Sequence, residues 1–350
     1  MTEREPREQR IERVTRALDA SYAIDQAARD SVQIAHIAES AGLSHQGVSL
    51  ALDNLERPGT THPTELARLV DHAERAGLLT SRVTLILSAG VFTSAFRAVL
   101  YALACAPRVV VRPSSRDPAF ARLVVRALAS SHVTLDEAID YEAVREGMLH
   151  VYGRDETVAQ VSARAHVPVV GKGAGFGVAY VDAHVPETEV DHLAAVTALF
   201  DQRGCLSPRA CYVQGDATRA RSFASALSAA FTRVESRIAR GALRSDEAEA
   251  FTLFVEFAAF EGELHGGPTH AVAAYDDARF RLAPVGRALT VLPVANAAAM
   301  HASLAPCARF VTAIGGDATP FASARTTDIA RMQSPPLDGP ADPRAPLRWP

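Results

Sequence analysis

Residues 83–128 read VTLILSAGVFTSAFRAVLYALACAPRVVVRPSSRDPAFARLVVRAL, and this stretch decides the fold class. The apolar run VTLILS predicts a buried strand, and TSAFRAVLYALA predicts a helix. RVVVRPSS predicts a second strand with its loop, and DPAFARLVVRAL predicts a second helix that begins at an Asp-Pro start signal. Two successive strand-helix units favour a parallel sheet covered by helices, so the sequence predicts an α/β fold.

The same alternation continues towards the carboxyl end. Apolar runs at 149–152, 167–170 and 178–181 predict further strands. Right-handed crossovers would place the loops after these strands on one rim of the sheet, where open sheets bind ligands. The loops RPSS (112–115) and YGRDET (152–157) are therefore candidate ligand-binding segments.

The two ends of the chain differ from this central pattern. Apolar residues at helical spacing in the first 80 residues predict short helices. The last sixteen residues contain six prolines and cannot form a regular helix interior. We expect a tail that wraps around the body or is disordered.

Composition limits the classes of function. A formal net charge of -4 and a pI near 6.3 provide no general basic field, so a nucleic acid is not the expected partner. The four cysteines, at 105, 205, 211 and 307, lack both the spacing of a zinc site and the density of a disulfide scaffold. Because no run has the length of a membrane span and the charged N-terminus lacks a signal-peptide core, we expect a soluble cytoplasmic protein without a metal site.

Cys205 is the candidate nucleophile. The segment EVDHLAAVTALFDQRGCLSPRACYV, residues 189–213, predicts an amphipathic helix that stops at Gly204 and a strand that follows. A loop between two packed elements can present a thiol to a cleft, and Gly204 permits close approach. Arg203 and Arg209 are expected to lower the pKa of the thiol, since the thiolate is the attacking species. The alternative is a small buried hydrophobic side chain.

FDQRGCLSPRACYV resembles the nucleophile segment of LuxC-type acyl-CoA reductases, which belong to the aldehyde dehydrogenase superfamily. The order of the other segments agrees with that family: LILSAGVFTSAFRAVLYAL, VVVRPSSRDPAFARLVVRAL, HVYGRDETVAQV and VPVVGKGAGFGVAYV. The resemblance implies an aldehyde dehydrogenase-like fold in four parts. These are a helical N-terminal segment (1–80), a Rossmann-like dinucleotide domain (81–175), an α/β catalytic domain carrying Cys205 (176–305), and a return segment with the Pro-rich tail (306–350).

The resemblance also implies a reaction. Cys205 would attack the thioester of an acyl-CoA or an acyl-protein, and hydride transfer from NADPH, with NADH possible, would release an aldehyde. Hydrolytic members of the superfamily use a glutamate to activate water, whereas the corresponding stretch here, VVGKGAGFG, has no carboxylate. The resemblance further leaves a homo-oligomer possible.

Two loops carry the expected cofactor residues. The superfamily's Lys-Pro dipeptide, which holds the adenosine ribose, is replaced here by Arg112-Pro113-Ser114-Ser115. Serine in place of a carboxylate at 115, with arginines at 112 and 116, would accept a 2'-phosphate and favours NADPH. The alternative is that these arginines are ordinary surface charges.

Gly153 and Thr157, in GRDET, belong to the second expected cofactor loop. A strand-to-helix link of this kind can receive a phosphate on its backbone N–H groups. The carboxylates at 155 and 156 could instead be helix caps.

Gly90 is the main departure from the family pattern. The family commonly has an asparagine here, whose amide helps the cysteine backbone N–H to stabilise an oxyanion. Losing one such donor typically costs about 2.7 to 4 kcal/mol of transition-state stabilisation. A catalytically impaired acyl-binding or scaffold subunit is therefore an alternative function.

A third reading concerns residues 34–59, IAHIAESAGLSHQGVSLALDNLERPG, which resemble a DNA-binding helix-turn-helix. The would-be recognition helix has no Arg or Lys and includes Asp53 and Glu56. A helical hairpin that packs on the body is therefore the favoured interpretation.

Overall fold

The computed structural model describes residues 5–128, 132–184 and 188–347. Within these residues the helices are α1 (Arg7–Asp19), α2 (Ser21–Ala28), α3 (Ser31–Ala41), α4 (His45–Asp53), α5 (Pro63–Arg75), α6 (Ser94–Cys105), α7 (Ala119–Ala127), α8 (Asp155–Arg164), α9 (Thr188–Ala198), α10 (Ala217–Glu235), α11 (Ser245–Glu261) and α12 (Ala297–Leu304). The strands are β1 (Val83–Ile86), β2 (Val109–Arg112), β3 (Val133–Leu135), β4 (Met148–Tyr152), β5 (Val169–Lys172), β6 (Phe176–Val181), β7 (Pro208–Gln214), β8 (Glu263–Gly267), β9 (His270–Ala274), β10 (Ala288–Val294), β11 (Val311–Gly315) and β12 (Arg325–Thr327). None of the described helices is both long enough and apolar enough to cross a bilayer.

The first sheet is parallel throughout and has the strand order β3-β2-β1-β4-β5. Its central strand β1 pairs Val83 with Val109 of β2 and with Met148 of β4. Helix α6 connects β1 to β2, and its residues from Ala95 to Cys105 are all buried. The predicted alternation of strand and helix is confirmed in this half of the chain, and the carboxyl ends of the strands share one rim.

The second sheet has the order β12-β11-β6-β7-β10-β9-β8, and only its β8–β9 hairpin is antiparallel. Helices cover both of its faces. Val291 and Cys211 are fully buried with α9 and α10 on one face, and Leu292 packs with Met300 of α12 on the other. The predicted α/β fold is therefore confirmed, whereas the proposed domain boundaries stay a prediction.

The helical N-terminal segment is present and packs on the first sheet. Helices α1 and α5 lie against α6, and the Nε of Arg13 donates to the carbonyl of Leu103 at 2.9 Å. Helices α3 and α4 form a hairpin around Gly42, whose φ of +67° ends α3. Helix α4 is the helix that would recognise DNA. It packs against the 3-10 turn Leu199–Gln202, so its buried side is in contact with the rest of the protein.

Residues 333–347, which we name the C-terminal strap, cross from the second sheet to the first. The Arg97 guanidinium, buried at the start of the crossing, donates to three strap carbonyls at 2.5 to 3.0 Å. At the far end the N–H of Leu347 donates to the carbonyl of Gly171 in β5 at 3.0 Å. The described part of the Pro-rich tail thus wraps the body, and residues 348–350 lie outside the described residues.

Candidate active site

Cys205 lies in the loop between the 3-10 turn Leu199–Gln202 and β7. It is partly buried and borders a cavity of about 360 Å³ between the two sheets. Its wall is formed by β4 and β5 of the first sheet, by α6, by the segment after α4, by the loops that lead into β6 and β7 of the second sheet, and by the C-terminal strap. The lining residues include Glu56, Val91, Arg97, Gly153, Lys172, Phe200, Gly204, Leu206 and Asp342.

The backbone before Cys205 is strained. Phe200, Asp201 and Gln202 have φ values of 56°, 47° and 64°, a left-handed conformation that non-glycine residues rarely adopt. The buried amide of Gln202 donates to the carbonyl of Ala288 at 2.5 Å and accepts from its N–H at 2.7 Å. Asp201 accepts from the Nε of Arg287 at 2.8 Å. Such strain persists only where surrounding contacts impose it, and it concentrates at functional sites.

Of the two predicted loop glycines, Gly204 directly precedes this cysteine, whereas Gly90 lies against Arg203. A Cβ at Gly204 would lie 3.2 Å from the Cγ2 of Val91, so the loop approaches its neighbour closely. Gly90 has a φ of +125°, and its N–H donates to the carboxylate of Asp117. Asp117 also accepts from the hydroxyl of Ser40 at 2.9 Å. The Gly90 N–H is thus already engaged, and the loop conformation itself favours glycine over asparagine.

Charged groups around the Cys205 thiol shift its pKa in opposing directions. Burial raises the pKa of the Cys205 thiol to about 12, and the nearby Asp342 carboxylate adds to the increase. The cations Arg344 and Lys172 lower it. Asp342 is only 7% exposed and is held by Arg344, with an Nη2–Oδ2 distance of 2.7 Å. The thiol is therefore protonated at neutral pH.

The prediction that Arg203 and Arg209 lower this pKa is wrong. Arg203 forms a two-point ion pair with Glu247, at 3.0 and 2.8 Å. Arg209 donates to the carbonyl of Ala283 at 2.5 Å, and burial lowers its own pKa to about 10. Neighbours in sequence point their guanidinium groups away from the thiol here because better acceptors lie on other elements.

Lys172 and Asp342 are cavity residues that the sequence analysis missed. Lys172 stands in VVGKGAGFG, the stretch that lacks a carboxylate. It could have been found from composition, because it is the only lysine in the chain. Nothing in the sequence marks Asp342, because the strap brings it from the other end of the chain.

A second cavity, of about 500 Å³, opens beside the carboxyl ends of β1 and β2. Arg112, Pro113, Ser114, Ser115 and Thr157 all line it, so the structure brings five of the six predicted cofactor residues together. The sixth, at position 153, lines the Cys205 cavity instead.

The polar groups of this second cavity fit the adenosine half of a dinucleotide. The Arg112 guanidinium makes no hydrogen bond or ion pair with the described residues, and Ser115 is exposed. The Ser114 hydroxyl accepts the N–H of Arg116 at 3.2 Å and so stabilises the turn. The carboxylate of Glu137 also lines the cavity, but Arg122 binds it at 2.6 and 2.8 Å. A free guanidinium and a neutralised carboxylate suit an anionic ligand.

The family model for acyl-CoA reductase (LuxC) matches residues 77–326. The chain belongs to the LuxC acyl-CoA reductase family. Membership places it among aldehyde-related oxidoreductases, as the resemblance in the sequence predicted. No curated protein matches the chain in sequence.

Solved structures share the fold of this LuxC family member. A NAD-dependent benzaldehyde dehydrogenase from Corynebacterium glutamicum is 13% identical, with a TM-score of 0.65, over 91% of this chain and 79% of that one. An indole-3-acetaldehyde dehydrogenase from P. syringae, in complex with NAD+, is 13% identical, with a TM-score of 0.65, over 91% and 76%. An NADP-dependent glyceraldehyde-3-phosphate dehydrogenase from Bacillus halodurans is 13% identical, with a TM-score of 0.56, over 85% and 71%. These similarities establish the aldehyde dehydrogenase fold.

The Cys205 cavity of this LuxC family member holds two carboxylates among its described lining residues. Glu56 is paired with Arg97, with an Nη1–Oε1 distance of 3.2 Å, and Asp342 is paired with Arg344. Each carboxylate is therefore engaged by a cation, which disfavours its use as a base that activates water.

Proposed function

We propose that this protein reduces an acyl thioester, either acyl-CoA or acyl-protein, to an aldehyde with NADPH through a thioester on Cys205. The observation that carries the proposal is the position of Cys205. A strained loop presents this thiol to a cavity between the two sheets, and the carboxylates of that cavity are held in ion pairs. Membership of the LuxC family supports the same chemistry.

The residues of the chain have distinct tasks in this reaction. The Cys205 thiol releases its proton to solvent, its sulfur forms a bond to the thioester carbonyl carbon, and the carbonyl electron pair moves to oxygen. When that pair returns, the bond to the sulfur of the substrate's carrier breaks, this thiolate leaves and takes up a proton, and the acyl group stays on Cys205. Apolar walls that include Val91, Phe200 and Leu206 limit the access of water to this acyl-enzyme.

The second cavity would hold the adenosine half of the cofactor. Arg112 would bind the 2'-phosphate, with Arg116 of the same loop as a second cation, and Pro113, Ser114, Ser115 and Thr157 would shape the pocket. Gly153 would leave room for the nicotinamide end near Cys205. A bound reduced nicotinamide supplies the hydride that converts the acyl-enzyme into the aldehyde.

Reduction fits this cavity better than hydrolysis does. Hydrolysis of the acyl-enzyme needs a free carboxylate that takes a proton from water. Glu56 and Asp342 are both paired with arginine, and β5 and the loop after it carry no carboxylate. The acyl-enzyme would therefore survive until the hydride arrives.

The test combines aldehyde detection with the mass of the protein. Purified protein is given acyl-CoA and NADPH, and the aldehyde is trapped with a hydrazine. Cys205→Ala should abolish both the acyl adduct and aldehyde formation, whereas Cys307→Ala, which changes the other partly buried thiol, should leave both intact. Aldehyde formation by Cys205→Ala would overturn the proposal. The cytoplasmic location and a possible homo-oligomer stay predictions.

A second candidate function is an acyl-binding subunit with little turnover. It is favoured by the raised pKa of Cys205 and by the loop at Gly90, which has no side chain to stabilise an oxyanion. Stable acylation of Cys205 without NADPH-dependent release would identify this function.

A further inference from the structure

The chain uses arginine for almost all of its cations and contains one lysine, Lys172, among 36 lysine and arginine residues. This lysine is the last residue of β5 and lies at the carboxyl end of a parallel sheet, where such folds bind ligands. Arginine and lysine are not interchangeable, because an ammonium is a compact charge that fits where a planar guanidinium does not. The single lysine of the chain therefore stands at the rim of the first sheet, beside Cys205.

The surroundings of Lys172 identify what its ammonium can do. Lys172 lines the Cys205 cavity, and its Nζ donates to the carbonyl of Asp342 at 3.1 Å and to the carbonyl of Arg344. An ammonium has three donors, so these two carbonyls leave one N–H for a further acceptor. Burial lowers the pKa of Lys172, and the Asp342 charge opposes this effect. Two carbonyl acceptors also favour the protonated form.

We propose that Lys172 is a catalytic residue that donates an N–H to the oxyanion formed on the acyl group at Cys205. This inference rests on the proposed function. It supplies the donor that the loop at Gly90 lacks, since that residue has no side chain and its N–H is bound to Asp117. When the sulfur adds to the carbonyl, the ammonium faces the new negative charge. When the oxyanion collapses, the proton stays on nitrogen and the leaving thiolate takes a proton from solvent.

A structural role and a covalent role are the two competitors. As a strap anchor, Lys172 would act only by holding the carbonyls of Asp342 and Arg344. As a nucleophile, the neutral amine would condense with the aldehyde to an imine and release one water. The two carbonyls that accept from the ammonium favour retention of its proton, and so favour a donor over a nucleophile.

The test compares two reactions of Cys205 in the full chain. Alkylation by iodoacetamide needs a thiolate but forms no oxyanion, whereas acylation by acyl-CoA needs both. Lys172→Met should lower the ratio of the acylation rate to the alkylation rate by about 100- to 1,000-fold. Asp338→Asn is the matched control, because it removes the 3.0 Å pair with Arg325 that also anchors the strap. The control should keep the ratio of the wild-type protein.

Each outcome decides between the roles. If Lys172→Met leaves the ratio of acylation to alkylation unchanged, the proposal is overturned. An equal fall of this ratio in Asp338→Asn also overturns it, because the effect would then come from the strap. An imine trapped on Lys172 by borohydride overturns it as well. If Lys172→Met does not fold, Lys172→Ala is assayed with added ethylamine, which should restore acylation, and failure of that rescue overturns the proposal. If the wild-type protein itself is not acylated, the proposed function fails first and this inference fails with it.

Discussion

Asp342→Asn tests the electrostatics of the thiol. Asp342 is 7% exposed, so solvent screens its effect on Cys205 poorly. A like charge close to an ionisable group typically shifts its pKa by about 1 to 3 units, and the ion pair with Arg344 places the effect at the low end of that range. Loss of the carboxylate also leaves the Arg344 charge uncompensated, which lowers the pKa of the thiol further. We expect about one unit in total.

The assay is the rate of alkylation of Cys205 by iodoacetamide at pH 8, followed by mass spectrometry. A fall of one unit gives about ten times more thiolate, but a less basic thiolate is a weaker nucleophile, so the rate should rise about three- to fourfold. Asp338→Asn, which changes a strap carboxylate outside the cavity lining, should react like the wild-type protein. An equal or lower rate in Asp342→Asn would refute the assigned role of this charge.

Four further changes have expected outcomes. Arg112→Gln should weaken NADPH binding at least about tenfold and NADH binding much less, by fluorescence titration, because a charge-assisted bond to phosphate is lost. Gln202→Ala should cost about 2 to 4 kcal/mol of unfolding free energy in urea, because buried backbone groups lose their partner. Gly90→Asn should cost about 1 to 3 kcal/mol and leave acylation unimproved, because its φ is +125°. His150→Leu should make the folding stability less sensitive to acid.

Burial, with a smaller contribution from the Lys172 charge, lowers the pKa of His150 to about 4. The unfolded chain takes up this proton near the ordinary pKa of about 6.5, whereas the folded protein resists until about pH 4. Stability from the neutral imidazole is therefore present above about pH 6.5 and falls as the pH drops towards 4, by about 3 kcal/mol in total. Urea denaturation at pH 7 and 4.5 should show a smaller difference in His150→Leu.

Each of these expectations has a contrary result. Equal losses for both cofactors in Arg112→Gln would remove the case for a 2'-phosphate site. The control for Gln202→Ala is Gln46→Ala, which changes an exposed glutamine. If the two variants have the same free energy of unfolding, the hydrogen bonds of Gln202 do not stabilise the fold. Faster acylation in Gly90→Asn would show that the loop accepts the missing amide. An unchanged pH dependence in His150→Leu would place the acid-sensitive group elsewhere.

The sequence predicted β1, β2, β4 and β5 of the first sheet because each is a short apolar run, and it did not predict the short edge strand β3. The segment 83–112 shows this directly, since β1, α6 and β2 occur where the apolar periods change. These are local signals, and parallel pairing with buried helices follows from them. The family resemblance added the cleft and its cysteine, which periodicity alone does not reveal.

Other features depend on contacts between distant parts of the chain. The helix before Cys205 ends at Ala198 rather than at Gly204, because the side chains of Asp201 and Gln202 are held by residues more than 80 positions away. Asp342 reaches the thiol because Arg97 and Lys172 hold the strap. No local pattern encodes either contact.

The most direct test of the account is the fate of the acyl group on Cys205. The protein is incubated with acyl-CoA alone, its mass is measured, and NADPH is then added while the released aldehyde is quantified. We predict a single acyl adduct, located on the Cys205 peptide, that disappears in step with the appearance of one equivalent of aldehyde. An adduct that is absent, lies on another residue, or is released as the free acid would contradict the account.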